Sequence, residues 1–217
     1  MAMTVARTFQ RGFSLIELAI VVALLAILAA MAMPAFQGFI ASNRLTAESN
    51  EMLAALNLAR SEAVRIQRRV ILCRVATSGG LVTLTASSGC VTAADGAPWQ
   101  GWAVFVDNDS DGTFDAGETL LRSQAITTNG LVFSSDNALG TAGNRIVFRP
   151  DGLARAVDSA ALQAATITVC DSSGVLTGEN ARNVALLAGS RIAVTRATIT
   201  NCGVVPEPAT STTETTQ

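Results

Sequence analysis

The stretch "QRGFSLIELAIVVALLAILAAMAMPAF", residues 10–36, decides how the rest of the chain is read. From Leu18 to Met33 no polar side chain interrupts it, and one carboxylate, Glu17, stands at its start. An ionised acid in hydrocarbon costs about 2.5 to 3.5 kcal/mol, so a carboxylate at the edge of a membrane-type segment calls for a partner.

The apolar pattern does not stop at Phe36. Phe39 and Ile40 continue it, and Leu45, Met52, Leu56, Ala59, Ala63, Ile66 and Val70 follow at spacings of three, four and seven. Asn43, Arg44, Glu48, Glu51, Arg60 and Arg65 fall between them. One long helix accounts for both parts, apolar all round in its first half and amphipathic in its second. Pro34, which has no N–H for the carbonyl four residues back, is expected to kink or locally melt it. A second reading of the same segment is a secretory signal peptide: Arg7 and Arg11 precede the apolar run, and the small residues Ala30 and Ala32 suit cleavage after Ala32, leaving Met33 as the new N-terminus.

Composition narrows the function. The chain has 217 residues, 49% of them hydrophobic, enough for one sizeable core behind the N-terminal segment. It contains no His and no Tyr, and Cys73, Cys90, Cys170 and Cys202 form no CxxC pair. That removes most metal, triad and Cys/His chemistry, so no enzyme is expected. Four spaced cysteines behind an export-type N-terminus suit an oxidising compartment, the periplasm.

Residues Arg11-Gly12-Phe13-Ser14-Leu15-Ile16-Glu17, with the apolar run and Pro34 behind them, resemble the class III signal of type IV pilins and pseudopilins. The resemblance implies that a prepilin peptidase cuts between Gly12 and Phe13 and methylates Phe13. Glu17 becomes the fifth residue of the mature chain, and its carboxylate meets the Phe13 amine of a neighbouring subunit in a fibre. Further along, "LAALNLARSEAVRIQ" (53–67), "RRVILCR" (68–74), "WQGWAVFVDNDSDGTFDAGETLLR" (99–122), "RIVFRPDG" (145–152) and "ATITVCDSSG" (165–174) are similar to the GspH/FimT branch of minor pilins.

The strand pattern agrees with this. Val70–Val75, Leu81–Thr85, Trp102–Val106, Thr119–Ser123, Leu131–Phe133, Arg145–Phe148, Ala165–Val169, Val184–Leu187 and Ile192–Thr195 are short β-type runs between Gly, Asn, Asp and Ser. The expected fold is α+β: a long N-terminal α-helix, half transmembrane and half amphipathic, packed on a small antiparallel β-sandwich of type IV pilin kind. Its parts are a leader peptide (1–12), a transmembrane helix half (13–40), a periplasmic globular domain (41–203) and a disordered Pro/Thr-rich tail (204–217). In that layout Cys73 and Cys90 flank a hairpin whose turn is Thr77-Ser78-Gly79-Gly80, Cys170 ends a strand and Cys202 lies near the end of the chain. The pairing expected is Cys73 with Cys90 and Cys170 with Cys202, although four cysteines allow three connectivities.

Two stretches have the look of sites. Asp107, Asp109, Asp111, Asp115 and Glu118, with Gly112 and the carbonyl of Thr113, fit the spacing D-x-D-x-D-G-x5-E, by which an oxygen cage encloses Ca²⁺. Strands rather than helices flank it, and the plainer reading is an acidic turn between them. The second is a set of arginines, Arg182, Arg191 and Arg196, a candidate patch for DNA phosphates. Some members of the branch bind DNA in natural transformation through a C-terminal Gly-Arg-x-Arg motif. Here the nearest stretch, Gly189-Ser190-Arg191-Ile192-Ala193, departs from it. Without Arg7 and Arg11 the mature chain carries 13 basic against 17 acidic residues, a net charge of −4, which weakens the case for DNA.

The function implied is a structural minor pilin or pseudopilin that primes or tips a type IV pilus or a type II secretion pseudopilus. It is expected to sit in the inner membrane as a single-pass protein before assembly, with prepilin peptidase, other pilins and membrane lipid as partners. The alternatives are a DNA-binding minor pilin and a secreted binding domain released by signal peptidase.

Overall fold

A computed structural model describes residues 14–202. The leader 1–12, the expected cut between Gly12 and Phe13, and the tail 204–217 lie outside the described residues. The chain divides into two compact units, Met1–Ile40 and Ala41–Gln217.

The long helix α1 (Leu15–Ile66) begins directly after Ser14, whose carbonyl accepts the N–H of Leu18 at 3.1 Å. In the first unit Leu18, Val21, Leu25 and Leu28 are 46% to 64% exposed, so protein does not cover them. This part of α1 is long and apolar enough to cross a membrane. The helix continues through Pro34, so the local melting expected there does not occur. Proline removes one backbone hydrogen bond, and the Ala and Met residues around it are good helix formers.

In the second unit α1 buries Leu45, Met52, Ala55, Leu56, Ala59 and Ala63, the stripe the spacing implies. The stripe ends at Ile66 and does not reach Val70. Gln67 takes a left-handed conformation (φ 56°), as residues that terminate helices do, and its amide donates to the carbonyl of Val64 at 2.7 Å.

The elements that follow are β1 (Arg69–Val75), β2 (Thr77–Ser78), β3 (Leu81–Val82), β4 (Gly101–Asp107), β5 (Thr119–Ala125), β6 (Leu131–Ser135), α2 (Asn137–Thr141), β7 (Arg145–Phe148), β8 (Ala154–Arg155), β9 (Ala165–Asp171), β10 (Ala181–Leu187) and β11 (Arg191–Ala197). One sheet has the order β5-β4-β1-β7-β8 and the other β11-β10-β9-β6, with β2 and β3 as a separate hairpin. Every pairing is antiparallel.

The two sheets and α1 enclose one core. Val70, Leu72, Trp102, Val104 and Phe148 come from the first sheet, Phe133, Ile167, Val169 and Val184 from the second, and Met52 and Leu56 from the helix. Polar contacts fix the helix on both: Arg122 of β5 pairs with Glu51, the hydroxyl of Thr128 donates to Glu48 at 2.6 Å, and Arg60 donates to the carbonyl of Ser190 at 3.0 Å. The opposite face of the first sheet is also buried. Ile71, Val75, Phe105 and Val147 are covered there by Val82, Leu84, Phe114 and Val157.

The disulfides are Cys73–Cys90 and Cys170–Cys202, with Cα separations of 5.9 and 5.8 Å. On the loop-entropy account each contributes on the order of 3 kcal/mol. A peptide map of the unreduced protein is therefore expected to show these two cross-links, and a Cys90–Cys170 link would contradict the strand layout. Between the first pair, Gly79 and Gly80 both have positive φ (58° and 78°), the requirement of a tight hairpin turn. The strand expected over 81–85 stops at Val82, because the side chains of Thr85, Ser87 and Ser88 bond to one another and to nearby backbone.

Candidate functional site

The acidic stretch forms the connection between β4 and β5. The last residue of β4, Asp107, is only 1% exposed, and Asn108, Asp109, Ser110 and Asp111 are exposed beyond it. Side chains hold the loop in shape. Asp107 Oδ1 accepts the N–H of Ser110 at 2.8 Å, Asp109 Oδ1 that of Asp111 at 3.2 Å, and Asp111 Oδ1 that of Thr113 at 2.7 Å. The carboxylate of Glu118 reaches back across the loop to the N–H groups of Asn108 (2.6 Å) and Asp115 (3.1 Å).

Two anchors tie the loop to the sheet. Phe114 meets Phe105 edge to face, with ring centroids 5.3 Å apart, and Arg145 of β7 donates to the carbonyl of Gly112 at 2.7 Å. Gly112 has φ +82°, and a Cβ there would lie 2.8 Å from a methyl of Val157, so only glycine fits.

The loop gathers the five carboxylates that the sequence singled out into two groups that share Asp109. Oxygens of Asp107, Asp109 and Glu118 lie within 4.8 Å of one another, as do oxygens of Asp109, Asp111 and Asp115. Thr113 sits among them, its hydroxyl donating to Asp111 at 2.8 Å and to Asp115 at 3.2 Å. Burial pushes the carboxyl of Asp107 up to about 6, with Glu118 and Asp109 adding to the rise and the Ser110 N–H and Arg69 opposing it. Hydrogen bonds from Thr113 hold Asp111 below the usual carboxylate range.

Glu17 lies in the first turn of α1, where the unpaired N–H groups of a helix favour a negative charge. Ser14 and Glu17 also have the spacing of a capping box, a signal present in the sequence beside the processing motif.

The three arginines do not form the patch expected of them. Arg182 is 7% exposed, and its guanidinium donates to the carbonyls of Ala181 (2.9 Å) and Glu179 (3.2 Å). Arg196, its cross-strand partner, pairs with Glu179 at 2.9 Å. Arg191 begins β11 five positions before Arg196, about 17 Å along an extended strand.

Sequence reasoning passed over a buried polar cluster at the far end of the first sheet. Trp99 Nε1 donates to the hydroxyl of Ser135 at 2.7 Å, which donates to Asn144 Oδ1 at 2.6 Å, while Asn144 Nδ2 donates to the carbonyl of Ala93 at 2.8 Å. Asn144 has φ 51° and lies in the turn between α2 and β7; the Asn after Gly143 was its one sequence signal.

Comparison with known proteins places these features in a family. Residues 7–33 match the prokaryotic N-terminal methylation motif. Over 45 residues the chain is 51% identical to the type IV major alpha-pilin of Moraxella bovis, covering 21% of this chain and 28% of that protein. It is 45% identical over 53 residues to the type IV major fimbrial protein FimA of Dichelobacter nodosus, covering 23% and 34%. The chain thus spans about a third of the length of these curated relatives. Among solved structures, the type IV minor pilin FimU of Pseudomonas aeruginosa superposes with a TM-score of 0.49 at 19% identity, covering 72% of this chain and 92% of that one. Residues 48–190, about two thirds of the sequence and all of the strands from β1 to β10, match the family described as type II transport protein GspH, and the chain belongs to that family.

Proposed function

We propose that this chain is a structural subunit, not an enzyme, of a type IV pilus or type II secretion pseudopilus, where it primes the fibre or stands at its tip. Prepilin peptidase cuts the precursor between Gly12 and Phe13 and methylates the new N-terminus. The helix half 13–40 anchors the product once in the inner membrane, with the globular domain in the periplasm, until the subunit is drawn into a fibre of other pilins or pseudopilins. The observation that carries this reading is the methylation motif over residues 7–33 in front of a GspH domain, joined to an exposed apolar helix with Glu17 in its first turn. An apolar helix half with no core of its own needs lipid before assembly and neighbouring helices after it.

N-terminal mass spectrometry of the membrane-extracted protein tests the reading. The wild type is expected to begin at a methylated Phe13, and Gly12→Val to retain the whole leader, since the side chain crowds the scissile bond. A mature terminus at Met33 would overturn the proposal in favour of signal-peptidase release, and normal cleavage of Gly12→Val at Phe13 would overturn the reading of Gly12 as the residue the peptidase requires.

A further inference from the structure

We propose that the loop between β4 and β5 is a calcium site, with the carboxylates of Asp107, Asp109, Asp111, Asp115 and Glu118 and the carbonyl of Thr113 as its donors. The spacing supplies oxygen ligands at loop positions one, three, five, seven, nine and twelve, with glycine at six. The geometry supplies two overlapping clusters of carboxylate oxygens. Two oxygens bound to one ion at 2.3 to 2.6 Å are at most about 5 Å apart, and the two carboxylate groups of the loop, which share Asp109, each fall within 4.8 Å.

An acidic loop alone would carry no such inference; the state of Asp107 does. Its side chain is 0% exposed, yet Oδ2 has no hydrogen-bond donor. The nearest cation, Arg69 Nη1, is 3.9 Å away and donates instead to the carbonyl of Ser110 at 2.8 Å. Asp107 nonetheless contributes an oxygen to the cluster with Asp109 and Glu118. A buried carboxylate oxygen without a donor is costly, and a cation among these three acids removes both that cost and their mutual repulsion. Arg145, the other nearby cation, is bonded to the Gly112 carbonyl and holds the loop against the sheet.

Calcium suits the site better than magnesium. The donors are many, all oxygen, and mounted on a hairpin loop with exposed members, whereas Mg²⁺ demands a nearly ideal octahedron and keeps several waters. Strands in place of helices leave the ion a local role: it joins the end of β4 to the start of β5, beside the Phe105–Phe114 contact.

The test uses the full-length protein in detergent, stripped with a chelator, and follows Trp fluorescence on heating in CaCl2 or MgCl2 up to 10 mM. At a hundredfold excess over Kd, calcium is expected to raise Tm by about 5 to 10 °C and magnesium by much less. Asp109→Asn is the informative variant. Asp109 is exposed and belongs to both donor groups, and Asn keeps the oxygen that accepts the Asp111 N–H. Its melting without calcium should match the wild type, while its calcium affinity by isothermal titration falls at least tenfold. Glu118 is less suitable because its carboxylate also holds the loop backbone. The proposal is overturned if the wild type melts at the same temperature with and without calcium, if magnesium gives an equal shift, or if Asp109→Asn responds as the wild type does.

Discussion

Glu17→Gln is expected to leave the protein folded, cleaved and inserted in the membrane, and to lower its incorporation into fibres about a hundredfold or more. On the proposed function the Glu17 carboxylate neutralises the Phe13 amine of a neighbouring subunit inside the packed helices of the fibre. Glutamine keeps the size and the capping capacity of the side chain but leaves that amine without a counter-charge, and breaking a buried ion pair in this way costs about 3 to 5 kcal/mol. The competing explanation, that Glu17 serves only the N-terminus of its own helix, predicts an effect of about 0.3 to 1 kcal/mol, less than tenfold. The ratio of the chain in sheared fibres to that in membranes, measured by immunoblot for both proteins, separates the two. A ratio within tenfold of the wild type would sink the pairing.

Much of the fold was legible because its large elements rest on periodicity. The helix stripe from Leu45 to Ile66 and the strands around Val70–Val75, Trp102–Val106 and Ala165–Val169 recur in the structure within a few residues. The disulfides are the pairing expected among the three connectivities that the sequence left open, Cys73 with Cys90 on either side of the β2–β3 hairpin and Cys170 near the end of β9 with Cys202. The acidic loop was readable for the same reason: its residues are consecutive, so spacing alone brings them together.

What escaped the sequence depends on contacts between distant segments or on very short elements. α2 has a single buried residue, Leu139, and its N-cap, Asp136, sits in a run of turn formers that reads equally well as a loop. β8 has two residues and exists because β7 offers it an edge. The arginine patch failed because side-chain direction was invisible: Arg182 on β10 turns inward to backbone carbonyls, and Glu179 lies beside Arg196 only once β10 and β11 have paired. The burial of Asp107 was equally hidden, since it depends on where β4 ends against Arg69 of β1 rather than on the loop spacing.

The largest stability effect expected is at Asn144, which joins the long segment between β3 and β4 to the rest of the domain. That segment has little regular structure and is held by the Cys73–Cys90 disulfide, by Arg74, which donates to Asp95 at 3.0 Å and to the Ala97 carbonyl at 3.1 Å, and by the Trp99–Ser135–Asn144 chain. The guanidinium of Arg74 also holds the Asp95 carboxyl below its usual range. Asn144→Ala leaves the buried Ser135 hydroxyl without its acceptor, releases the carbonyl of the exposed Ala93 to water, and puts alanine at φ 51°. One unsatisfied buried group at about 1 to 3 kcal/mol, with a further 1 kcal/mol or so for the left-handed backbone, gives a loss of about 2 to 4 kcal/mol, or roughly 10 °C in Tm. Asn144→Gly separates the two causes, because glycine removes the backbone strain and also lacks the amide. If the hydrogen-bonded chain is what matters, the glycine variant remains destabilised by about 1 to 3 kcal/mol. A glycine variant as stable as the wild type would mean that only the backbone angle counts, and an alanine variant within 1 kcal/mol of it would show that the cluster does not hold this segment.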